Sequence, residues 1–201
     1  MILIHGRLLA SGIVIALGLG FAATVAAQSV VGTTQRDVNQ QKRIDQGLKS
    51  GQLSAAETAR LERGAAHIDR MQQRDMRDGS LSTNEAARLR TAQNRESRAI
   101  QAGKHNVVVA NPESRSSRRM QRHVARDLHQ QARIRNGEKS GALTTREAGR
   151  LEGRAAHADH VQYRAARDGH VGPLEQRHLR RIDKRNSRQI FRLKHNGRRV
   201  G

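Results

Sequence analysis

The sequence predicts an all-α fold built as a tandem duplication of a three-helix unit (helix, turn, long helix, turn, helix), and three observations carry that expectation. The pattern G-x-L-S-x-x-E-x-x-R-L, which starts at Gly51, returns at Gly79 and Gly141 and in worn form at Gly169. A glycine, an apolar residue two on, a hydroxyl next and a glutamate three later make a turn that feeds a capped helix. Sliding the chain by 90 residues without a gap lays residues 36–106 on 126–196 with 34 identities in 71 pairs, a period that marks internal repetition. At about 100° per residue, Leu61, Ala65, Ile68 and Gln72 fall on one narrow helical arc.

Taken in order, Arg7 precedes an uncharged run from Leu8 to Ala27, and Val25-Ala26-Ala27 has the small-residue form of a signal-peptidase site. Residues 1–27 therefore read as a secretory signal, which places the mature chain in the periplasm or outside the cell. An uncleaved membrane anchor is the alternative, since roughly 20 apolar residues can span a bilayer. Residues 28–35 read as a disordered lead-in. The first unit, 36–106, opens with a helix carrying Val38, Ile44 and Leu48. Ser54 with Glu57 then forms a capping box for the long second helix, and Asp78-Gly79 turns the chain. Ser82 with Glu85 starts a third helix lined by Ala86, Leu89, Ala92 and Ile100 and ending near Lys104. Residues 107–125 lack helical period and carry Pro112 and several serines, as a linker does. The second unit, 126–196, repeats the first, with Pro173 in the first helical turn where Thr83 stands before. Residues 197–201 are a basic tail.

Composition narrows the partners. Lysine and arginine outnumber aspartate and glutamate 38 to 18, with a net +5 over residues 28–105 and +14 over 106–201. Such a field favours an anionic polymer, a lipid headgroup or unspecific nucleic acid. The absence of cysteine excludes disulfides and thiolate chemistry. Past residue 27 the aromatic side chains are Tyr163 and Phe191, so specific base stacking on single strands is not expected. No nucleophile elbow, phosphate loop or H-E-x-x-H is present, and the chain reads as non-catalytic.

Folding alone explains some repeated residues poorly. Arg60, His67 and Arg74 form one helical stripe, repeated by Arg150, His157 and Arg164, and Arg181, Arg185 and Arg188 add to the basic surface of the second unit. Glu62 and Asp69, matched by Glu152 and Asp159, form an acidic stripe expected on a solvated face. Lys104-His105-Asn106 and its copy read as a helix end, with the asparagine in a left-handed cap. His157 and His160 share a helix face at a metal-binding spacing that the first unit does not keep.

The motif at Gly51 resembles the second half of an EF-hand calcium loop, which has a glycine, an apolar residue and a closing glutamate at the same spacing. The resemblance makes calcium the one candidate cation, held by Asp75, Asp78 and Glu85 in the second loop or Glu138 and Glu147 in the third. The first half of each loop departs from it, with Arg74 and Arg164 where carboxylates belong, so capping explains the glutamates better. The start around Arg43, Ile44 and Gly47, the middle at 78–85 and the end at 94–106 together resemble a group of small exported helical-repeat proteins of proteobacteria. The second unit departs from that pattern at Gly172-Pro173 and Lys184. The resemblance implies an envelope location and supplies no catalytic residue or cofactor. The reading that follows is an exported helical protein that binds anionic envelope polymers or lipid headgroups through arginine-rich helix faces. A calcium-responsive protein and a protein–protein scaffold are the alternatives.

Overall fold

The computed structural model describes residues 20–198, so the signal-peptide expectation rests largely on residues 1–19, outside the described residues. The described chain is all-α, with six helices: α1 (Gly20–Lys49), α2 (Ala55–Asp75), α3 (Thr83–Lys104), α4 (Arg115–Lys139), α5 (Thr145–Ala166) and α6 (Pro173–Lys194). Two expected boundaries differ. Residues 28–35 continue α1 instead of forming a disordered lead-in, and the expected linker shortens because α4 already begins at Arg115. Ser114 caps α4 by accepting the Ser117 N–H at 3.0 Å, a short-range signal hidden in what reads as a serine-rich connector.

The helix starts follow the motif. Glu57 accepts the Ser54 N–H at 2.9 Å while Ser54 Oγ accepts the Glu57 N–H at 3.2 Å. Ser82 with Glu85 and Thr144 with Glu147 repeat the reciprocal pair. At the fourth copy Gly172 has no hydroxyl, and only the glutamate half remains, with Glu175 accepting the Gly172 N–H. The motif glycines Gly51, Gly79, Gly141 and Gly169 all take positive φ, the conformation the turn demands. The apolar residue of the motif packs against helical glycines: Leu53 is fully buried, and a Cβ on Gly47 or Gly103 would stand 2.7 or 2.9 Å from it.

Asn106 is not a left-handed cap, since no residue other than glycine has positive φ among the described residues. Instead its amide donates to Glu57 Oε1, and Asn196 donates to Glu147 Oε1 at 2.7 Å, so the end of each third helix is tied to the capping box of the second.

The helices pack across the two halves more than within them. The most extensive contact is between α2 and α5, followed by α1 with α4, while α1 meets α2 over a small area. α2 and α5 run antiparallel: Arg63 lies 5.0 Å from the Tyr163 ring, and a Cβ on Gly149 would stand 2.8 Å from Met76 Cβ. The contacts recur with partners exchanged. Gly79 lies beside Arg146 as Gly169 lies beside Ala56, and Gly153 meets Gln73 where Tyr163 meets Arg63. One core cluster accordingly draws Ile44, Leu53, Leu61 and Ile100 together with Met120, Val124 and Val171.

Because this close crossing leaves no room at Gly149, Gly149→Val is expected to lower stability by about 1–3 kcal/mol through overpacking. Urea unfolding followed by circular dichroism measures it, and both halves should unfold in a single transition.

Candidate functional site: carboxylates inside, arginines outside

The nine basic residues singled out from the sequence are all exposed: Arg60, His67 and Arg74 on α2, Arg150, His157 and Arg164 on α5, and Arg181, Arg185 and Arg188 on α6. They lie on three helices: Arg164 of α5 shares a surface hollow with His178 of α6, which in turn borders Arg181, Arg185 and Arg188. A groove of about 810 Å³ lies between α4 and α6, lined by Arg126, Arg133, Arg180, Lys184, Arg188 and the half-exposed ring of Phe191. Arg126, Arg133 and Arg180 were not among the sequence candidates; the pairing of α4 with α6 brings Arg126 and Arg133 beside Arg188, while Arg180 shares α6 with it. Arg133 is positioned by donating to Ser187 Oγ at 2.6 Å and Ser187 O at 3.2 Å, as Arg43 is by Ser97 in the first half.

Apart from Asp75, whose Oδ2 accepts no hydrogen bond, the loop carboxylates serve as structural acceptors. Glu85 and Glu147 close capping boxes, Asp78 accepts the Ser80 N–H at 2.9 Å, and Asp75 lies 3.9 Å from Arg88. Glu138 points away from its loop, accepting the Thr34 hydroxyl at 2.6 Å across the α1–α4 contact.

The acidic stripes are where the structure departs most from expectation. Glu62, Asp69, Glu152 and Asp159 do not lie on a solvated face; all are buried, because α2 and α5 are enclosed by neighbouring helices on several sides. They join Asp37 of α1 and Asp127 of α4 in a polar layer, and these six positions are three pairs of identical residues 90 apart. Gln41 donates to Glu62 Oε2 and Gln131 to Glu152 Oε2, each at 2.9 Å. Gln72 and Gln93 donate to the two oxygens of Asp37 at 2.5 and 2.6 Å. Asp69 and Asp159 face each other where α2 crosses α5, and their proximity disfavours ionising both. On the α6 side His123 lies 3.1 Å and Arg126 3.3 Å from Asp183.

Burial dominates the electrostatics of the layer. Loss of hydration pushes Asp37 up to about 6 and Glu62 to about 7, against the donated hydrogen bonds of their glutamines. Burial, reinforced by the Glu62 charge, pushes Glu96 to about 8, and burial also carries Glu138 to about 8. Asp69, Asp127, Glu152 and Asp159 are raised well above the usual carboxylate range, first by burial and then by one another. The capping glutamates Glu57 and Glu147 move the other way: although partial burial opposes it, the cap hydrogen bonds hold them low.

An unfolded carboxyl titrates near pH 4, whereas these buried ones release protons only toward pH 6–8. Between those limits the folded state holds more protons than the unfolded, so stability is greatest near pH 4 and falls as pH rises to 8. Each unit of raised pKa corresponds to about 1.4 kcal/mol. Thermal melts in metal-free buffer at steps from pH 4 to 8 should show a steadily falling Tm, and Glu62→Gln should flatten the decline.

No family model matches the chain, and neither a curated protein nor a solved structure is similar to it.

Proposed function

We propose that the protein is a non-catalytic, exported helical protein that binds anionic envelope polymers or lipid headgroups through its arginine-rich helix faces. The observation that carries the reading is the separation of charge between interior and surface. Ten of the 18 acidic residues are buried, whereas no lysine or arginine among the described residues is. Acidic groups that would neutralise the arginines of an ordinary solvated helix are thereby withdrawn from the surface, and the positive field outside exceeds what the composition alone conveys. α6 is the extreme case: Arg181, Arg185 and Arg188 lie at i, i+4 and i+7 on one exposed face, and its one mid-helix acid, Asp183, is turned inward toward His123. The groove beside that face offers forked guanidinium donors suited to phosphate or sulfate oxygens.

Export rests on the N-terminal pattern. Val30, three residues past the expected cleavage position, is already buried, so removing residues 1–27 leaves the described α1 contacts from Val30 onward in place. No helix among the described residues is long and apolar enough to cross a membrane.

Binding to a heparin-like oligosaccharide, lipid A-like micelles and duplex DNA, measured by fluorescence anisotropy at about 50 mM salt, should weaken steeply as salt is raised. For DNA, the combined change Arg181→Gln, Arg185→Gln and Arg188→Gln should reduce the slope of log K against log salt by about 2–3, with helicity unchanged. Absence of binding to all three at low salt sinks the proposal.

A further inference from the structure

We propose that Glu62, Asp127 and Asp159 form a binding site for a hard divalent cation in the interior of the bundle, a calcium, magnesium or manganese ion held between α2, α4 and α5. One carboxylate oxygen from each residue lies within 4.8 Å of the other two. Cation–oxygen distances of about 2.0–2.6 Å put ligands on opposite sides of such an ion roughly 4–5 Å apart, so the three oxygens already stand as far apart as ligands of one ion do. The site is distinct from the loops of the EF-hand resemblance, whose glutamates are engaged as caps.

A second observation points to a ligand independently of the acids. Gln131, only 6% exposed, spends its amide nitrogen on Glu152, and its carbonyl oxygen has no hydrogen-bond donor. One helical turn from Asp127 on α4, it lines a small void of about 20 Å³ that Asp127 and Asp159 line too, enough room for about one water or ion. The amide oxygens of Gln72 and Gln93 also lack a donor, but that of Gln131 belongs to a residue bordering the void that Asp127 and Asp159 line. Glu62 Oε1 and Asp127 Oδ2 are likewise buried without a donor. No lysine or arginine is buried among the described residues, and the nearby Arg126 and His123 are turned to Asp183. The donor set is oxygen throughout, with no thiolate in the chain, which selects calcium, magnesium or manganese over softer metals. Because the ligands come from both halves of the chain, the bound ion would cross-link them.

The test uses the mature chain stripped with chelator and then titrated near neutral pH with calcium, magnesium and manganese separately. Calorimetry, thermal melts and, for manganese, loss of the free-ion resonance signal provide the readouts. Wild-type protein should bind a single equivalent of at least one of the three, with Tm rising as that cation is added. Asp127→Asn and Asp159→Asn keep side-chain shape and remove charge repulsion, so both should remain folded while binding at least about tenfold more weakly. Glu85→Gln should bind as the wild type does. Silence of the wild-type protein to all three cations at millimolar concentration overturns the proposal. So does undiminished binding by the asparagine variants, or loss of binding in Glu85→Gln. None of these outcomes depends on whether a polyanion binds the surface.

Discussion

The antiparallel crossing of α2 and α5 is the constraint on which the rest of this structure depends. It brings the backbones close enough that Gly149 has no space for a side chain beside Met76. It also places Asp69 against Asp159 at the same contact. Two helices that approach so closely and are flanked by α1, α3, α4 and α6 keep a solvated side for Arg60, His67, Arg74 and their copies, but turn their acidic positions toward neighbouring helices. Whatever polar residues they carry at those positions must be neutralised, hydrogen-bonded or coordinated in place.

That requirement accounts for the glutamine content of the interior. Gln41, Gln72, Gln93 and Gln131 each donate an amide hydrogen bond to a buried carboxylate, doing for oxygen acceptors what basic side chains do in a buried ion pair. Amides satisfy one oxygen without supplying charge, so the layer remains electrostatically strained while its geometry is specified. No arginine among the described residues is buried, so the same segregation shapes both the core and the surface.

Much of the fold was legible because it is written in short-range chemistry. The capping boxes at Ser54, Ser82 and Thr144, the positive-φ glycines and Pro173 at the start of α6 are decided by residues within a turn of one another. The start of α4 was obscured because the serine that caps it sits among other serines, and residues 115–125 show too few apolar positions to reveal a period. The carboxylate layer was misassigned for a different reason. A helical wheel ranks faces by their own hydrophobicity, and Glu62 or Asp69 lies inside only because a distant helix covers that face. One signal could have exposed it: Asp37, Gln41, Glu62, Asp69 and Gln72 all return unchanged 90 residues later. The tie from Asn106 to Glu57 was similarly beyond local reasoning, since a helix-end asparagine has an ordinary local explanation.

The exchange of partners across the crossing has a consequence for how the chain assembles. Contacts in which residue i of one half meets j of the other, while the counterpart of j meets the counterpart of i, are those of an isologous, two-fold interface between identical subunits. Here both subunits lie on one polypeptide, joined by the short segment between Lys104 and Arg115. A tether of that length sets an effective concentration on the order of millimolar, so the pairing of the halves is independent of how dilute the protein becomes. An interface that would fall apart on dilution as separate chains is kept closed by covalent continuity.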